Sequence, residues 1–189
     1  MTIDALRLTR LTGLVAVGVL GLAVSSVGAN SDASRFAVKV KETDDGLPQN
    51  SVRGILQTRD GYLWFTTFDG LVRFDGVRFT VFKRSNSPGI GGNRFTCLYE
   101  DHQSDLWIGT ENGGVTRERR GAFTTYTTEH GLPHNAIRGI TGDKSGNLWV
   151  LSGDLLIQWH EASGRFLPAD LSQPGFAFGS DAFGSLGGF

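Results

Sequence analysis

The side chains able to do chemistry are few: four histidines, one cysteine, and carboxylates and arginines without catalytic spacing. His130 and His134 stand four apart, which on a helix would suit a metal ion. They flank Gly131-Leu132-Pro133, which cannot be helical, and a near copy of that segment has Asp45 and Gln49 in their places. No metal site is expected. His102 and His160 are isolated, no Ser/His/Asp order can be assembled, and no two carboxylates stand out as acid and base. The lone Cys97 excludes an intrachain disulfide and a cysteine-based zinc cluster. The sequence therefore assigns no catalytic residue and no cofactor. What remains are arginines, asparagines and aromatics that recur, and recurrence belongs to the elements that carry them.

Leu-Trp pairs stand at Leu63-Trp64, Leu106-Trp107 and Leu148-Trp149, with the tryptophans 43 and 42 residues apart. Fourteen residues before each Trp is an asparagine (Asn50, Asn93, Asn135), and three after it a hydroxyl residue (Thr67, Thr110, Ser152). The segments 46–55 and 131–140 are nearly the same text twice, and an aromatic strand recurs at Phe36, Phe79, Phe123 and Phe166. A period of about 43 residues is the size of a propeller blade. Within the first unit, residues 52–57 alternate, Arg59-Asp60-Gly61 makes a turn, and Leu63 to Thr67 is a second strand. Phe68-Asp69-Gly70 turns into Leu71 to Phe74, and Asp75-Gly76 turns into Arg78–Phe82. The fold class is all-β: blades of four antiparallel strands. Each Trp sits on a second strand, where its flat side chain fills the wedge between blades. Trp159, ten residues past Trp149 as Phe74 is past Trp64, reads as core as well.

Composition agrees. The chain holds 27 glycines in 189 residues, about twice the usual share, together with 13 Phe and 4 Trp, a mix that supplies turns and strands. Hydrophobic residues at 39% exclude wholesale disorder, and a net charge of −1 leaves no basic surface for nucleic acid. Arg7 and Arg10 precede an apolar run from Leu11 to Val24, then small residues ending at Ala29. Such a run rises only about 21 Å as a helix, short of a bilayer core, so residues 1–29 read as a secretory signal cleaved after Ala29. The mature chain is expected in the periplasm or outside the cell.

The unit Gly-Leu-Pro-x-Asn-x-Val/Ile-Arg-Gly-Ile, then Asp-x-x-Gly-x-Leu-Trp as in Asp143–Trp149, then a hydroxyl residue, Gly and Leu, resembles the two-component regulator propeller repeat. The resemblance covers residues 36–166. It implies an extracytoplasmic β-propeller at the front of a sensor, commonly a hybrid histidine kinase or diguanylate cyclase. The ligands it implies are often oligosaccharides; the missing catalytic constellation favours binding over catalysis in this region, and a homodimer is an expectation for the complete protein only. The second unit departs with Pro88-Gly89-Ile90 for Gly-Leu-Pro, and the third has Leu155 where a turn glycine stands elsewhere. The aspartate that sialidase-type blades carry five residues before the Trp is replaced by Arg59, His102 and Lys144. The alternative is a piece of a lyase-type secreted enzyme, or a stand-alone interaction module.

Asn50, Asn93 and Asn135, like Trp64, Trp107 and Trp149, read as structural repeat positions. Loops entering the inner strand and loops between the second and third strands share one face of a propeller, which nominates Arg53, Asp69, Glu111, Asn112 and Arg138 for ligand contact. Three units do not close a ring, which needs at least about four blades. Phe36–Val40 reads as an orphan outer strand, the next Trp would fall near residue 191, and the Gly/Phe-rich tail 167–189 offers only a faint echo of the turn motif at 181–187. The expectation is an incomplete ring: an N-terminal piece of a sensor whose tail is a degenerate fourth blade, without its membrane helix, kinase or cyclase.

Overall fold

The computed structural model describes residues 42–43 and 46–168. The expected signal segment 1–29, the expected strand Phe36–Val40 and the tail from 169 onward lie outside the described residues. Twelve strands form three four-stranded sheets. Blade 1 holds β1 (Val52–Gln57), β2 (Leu63–Thr67), β3 (Gly70–Phe74) and β4 (Phe79–Phe82). Blade 2 holds β5 (Phe95–Glu100), β6 (Leu106–Thr110), β7 (Val115–Arg119) and β8 (Ala122–Tyr126). Blade 3 holds β9 (Ile137–Gly142), β10 (Leu148–Ser152), β11 (Leu155–His160) and β12 (Arg165–Pro168). Each strand pairs antiparallel with its chain neighbours, and the blades meet through their first strands, β1 against β5 and β5 against β9. Among the described residues there is no α-helix; a 3-10 turn spans Thr128–His130.

The hairpins form because short polar side chains close them locally. Asp75 Oδ1 accepts the N–H groups of Val77 (2.8 Å) and Arg78 (2.7 Å), turning β3 into β4. Asp101 and Asp143 do the same between the first and second strands of blades 2 and 3, and reach further. Trp107 donates its indole N–H to Asp101 Oδ2 (2.8 Å), and Trp149 donates to Asp143 Oδ2 (3.0 Å). One carboxylate thus fixes both the turn and the tryptophan six residues on.

Alternation along the second strand sorts its side chains between two neighbours. Trp64 packs with Leu106, Ile108 and Phe95 of blade 2, and Trp107 packs with Leu148, Val150, Trp159 and Phe166 of blade 3. The hydroxyl three residues after each Trp is fully buried and bonds across its end of the blade: Thr67 Oγ1 to Gly70 O (2.8 Å), Thr110 Oγ1 to Gly114 O (2.8 Å), Ser152 Oγ to His134 O (2.6 Å).

Two sequence departures resolve in the backbone. Gly89 and Gly131 both adopt a left-handed φ (90° and 95°), and a Cβ on either would lie 2.0 Å from Phe123 O or 2.2 Å from Phe166 O. Ile90 is buried behind Gly89 as Leu47 and Leu132 are buried in their units. The second unit therefore keeps the glycine–aliphatic step and lacks only the proline after it. In blade 3, Leu155 stands opposite Ser152 as Gly70 stands opposite Thr67, and Gly153 (φ 59°) makes the turn instead.

Burial opposes ionisation of Asp143, but hydrogen bonds from the Trp149 indole, the Asn147 side chain and the Asn147 and Ser145 N–H groups outweigh it and hold the carboxyl below the usual range. A carboxylate with a lowered folded pKa stabilises the fold above its unfolded pKa, and that contribution is lost as pH falls through the folded value. Asp143→Asn should therefore make stability less acid-sensitive below about pH 4 while lowering it at neutral pH. Urea unfolding of both proteins across that range measures this, and identical acid slopes would contradict it.

Candidate functional site

Each first strand carries one extra residue near its start. Val52 pairs with Thr67 and Gly54 with Thr66, leaving Arg53 as the bulge. Phe95 and Cys97 pair with Thr110 and Gly109, leaving Thr96; Ile137 and Gly139 pair with Ser152 and Leu151, leaving Arg138. A bulge re-aims a side chain and is common beside binding sites; here it recurs at one position in all three blades. Thr96 turns its hydroxyl onto Ile137 O (2.8 Å), tying β5 to β9. Arg53 and Arg138 are exposed.

All five nominated residues lie at the end of the blades formed by the inter-blade loops and the turns between second and third strands. The Arg53 guanidinium sits over the Phe68 ring (5.0 Å), and Arg94 covers the same ring (4.1 Å) while pairing with Glu111. Phe68 thus brings Arg53 and Glu111 into one cluster. Asp69 pairs instead with Lys83 (2.9 Å) and Arg138 with Asp154 (2.8 Å), while Asn112 is exposed in the β6–β7 turn. Exposed pairs of this kind stabilise by at most about 1 kcal/mol, so a ligand can take either partner at little expense to the fold. Sequence reasoning missed Phe68, Arg94, Lys83 and Asp154. An aromatic inside a turn was the available signal for Phe68, whereas the other three show themselves only by proximity.

The repeated asparagines hold the loops that enter the blades. Asn50, Asn93 and Asn135 accept the N–H groups of Thr43 (3.0 Å), Arg84 (2.8 Å) and Thr128 (3.0 Å) through Oδ1. The two loop histidines have separate surroundings. His130 Nδ1 accepts the Thr127 N–H (3.1 Å) with its ring edge-on to Tyr126, while the His134 ring lies against Gly153. Burial pushes the Cys97 thiol up to about 11, so it is not a thiolate at neutral pH.

The family model described as two-component regulator propeller matches residues 46–69, 89–112 and 131–154, the segments that carry the left-handed glycine, the bulged strand and the buried Trp. Histidine kinase P4 of Formosa agariphila is 42% identical over 67 residues, which are 35% of this chain and 4% of that protein. The extracellular domain of a hybrid two-component system of B. thetaiotaomicron superposes with a TM-score of 0.60 at 27% identity, over 69% of this chain and 20% of that one. A streptogramin B lyase superposes with a TM-score of 0.51 at 26% identity, over 68% of this chain and 43% of that one. The chain therefore spans a small part of the kinase and of the extracellular domain, and less than half of the lyase. Segments 46–69, 89–112 and 131–154 are two-component regulator propeller repeats, and the blades they form share their fold with the extracellular domain of a two-component system.

Proposed function

We propose that the chain is an exported, non-catalytic ligand-sensing region of a two-component-type signalling protein. The observation that carries this is the bulge repeated at Arg53, Thr96 and Arg138, which costs each blade a regular ladder step and presents two arginines at one end. Beside them stand Asp69, Glu111 and Asn112, hydrogen-bonding groups of the kind that read hydroxyls and charges on an oligosaccharide or other small extracellular molecule. Likeness to an extracellular domain of a hybrid two-component system supports export, and the kinase relative supports a signalling context. On this reading the signalling output belongs to a larger protein of which the blades are one part.

Calorimetric titration of the full chain with neutral and acidic oligosaccharides tests it. Arg53→Ala and Arg138→Ala should each weaken binding by about tenfold, the expected loss for a charge-assisted hydrogen bond. Unchanged affinity on replacing all five nominated residues with alanine would remove the site from this end. The likeness to a streptogramin B lyase favours a second reading, a lyase-type enzyme; cleavage of any titrated ligand, followed by mass spectrometry, would put that reading first.

A further inference from the structure

Asn112 alone among the asparagines of the chain precedes a glycine, and its surroundings set it apart from the rest. Every other described asparagine has its side-chain amide held. Asn50, Asn93 and Asn135 accept backbone N–H groups of the loops that enter the blades. Asn86 accepts the Lys83 N–H (2.7 Å) and donates to Val81 O (2.9 Å), and Asn147 donates to Asp143 Oδ2 (2.8 Å). Asn112 is exposed in the turn between β6 and β7, and among the described residues its amide has no hydrogen-bond partner.

The glycine after it is demanded by the fold. A Cβ on Gly113 would stand 2.5 Å from Gly91 O, so the two loops can approach only if residue 113 has no side chain. That leaves its backbone nitrogen unshielded by a side chain of its own. The restraint on this nitrogen is a hydrogen bond: Gly113 donates its N–H to Thr110 Oγ1 (2.7 Å), and the same buried hydroxyl donates to Gly114 O (2.8 Å).

We propose that Asn112 is a site of spontaneous deamidation. The Gly113 nitrogen, its proton lost to hydroxide, attacks Cγ of Asn112 and closes a succinimide ring as ammonia leaves. Water then opens the ring at either carbonyl. One opening leaves aspartate, the other isoaspartate, in which the main chain runs through the side chain. In sum a carboxamide and water become a carboxylate and ammonium, and nothing is oxidised or reduced. Aspartate is what blades 1 and 3 carry five residues after their tryptophans, as Asp69 and Asp154, each paired with a cation. Isoaspartate adds a backbone carbon to a turn closed by the Thr110 N–H on Gly114 O (3.2 Å). Either product puts a negative charge beside Glu111 where Asn112 carried none. The reaction needs no ligand, so it stands apart from the binding reading above.

The test is incubation of the folded full chain in mildly alkaline buffer made with water enriched in heavy oxygen, followed by peptide mass mapping. Label should enter at Asn112 before any other described asparagine, and faster as pH rises, because attack needs the deprotonated nitrogen. In guanidinium chloride, where the Thr110 hydrogen bond is gone, the rate at Asn112 should increase at least about fivefold. Asn112→Gln, whose longer side chain closes the larger ring far more slowly, should take up no label at this position. Absence of label at Asn112 in the folded chain, after the unfolded chain has converted, overturns the proposal. So does earlier labelling of Asn50, Asn86 or Asn135 in the folded chain, or a rate at Asn112 that does not rise with pH.

Discussion

Replacing Trp107 by alanine should lower the unfolding free energy of the full chain by about 4 kcal/mol. The indole is completely buried between two blades, so its loss opens a cavity walled by Tyr126, Trp159, Leu148 and Val150, on strands that cannot collapse without breaking their ladders. It also removes the hydrogen bond to Asp101 Oδ2, at a carboxylate 8% exposed whose other oxygen holds the Gln103 and Asp105 N–H groups. Trp64→Ala should cost less, about 2–3 kcal/mol, because Thr58 stands at the place of Asp101 and no buried carboxylate loses its indole partner. Urea unfolding of the two variants against the parent measures both. A Trp107→Ala loss no larger than that of Trp64→Ala would show that the indole bond to Asp101 does not set the two sites apart.

That ranking could not be drawn from the repeat, which treats the three tryptophans as equals. The period, the strand count and, in the first blade, the strand bounds to within a residue were legible because the units repeat the same hydrophobic alternation and turn residues. The bulges were not: an extra residue is visible only once its partner strand is known, and Arg53, Thr96 and Arg138 share no residue type. Pro88-Gly89-Ile90 read as a departure because proline draws the eye, whereas the backbone keeps only the left-handed glycine and the buried aliphatic after it. Phe68 and Arg94 escaped because their meeting depends on two blades facing each other. The same holds for the polar cluster of Arg117, Asp105 and Glu161, which is drawn from two blades and from strands that no local pattern connects.

That cluster carries the second large effect. Arg117 is 5% exposed and Asp105 4%, with Arg119 adding a second guanidinium on Asp105 Oδ2 (Nε, 2.7 Å). Burial pushes the Asp105 carboxyl above its usual range, and the charge of Arg117 pulls it back. Arg117→Met keeps the stem packed on Trp107 but strands the carboxylate, and should cost about 3 kcal/mol at neutral pH, the low end for a broken buried pair because Arg119 remains. Removing both charges, in Arg117→Met/Asp105→Leu, should recover most of that loss, since two apolar side chains of similar volume leave no buried charge. The loss should also depend on pH in a stated direction. Without Arg117 the folded pKa of Asp105 rises further above its unfolded value, so the folded protein takes up a proton first as pH falls. The penalty is then full above the folded pKa and relieved below the unfolded one, near pH 4. Stability of the parent, both variants and Asp105→Leu, followed by urea unfolding at neutral pH and near pH 4, gives the cycle. A penalty for Arg117→Met that is unchanged or grows on acidification would mean that the arginine acts through its packing on Trp107 and not through the carboxylate it neutralises.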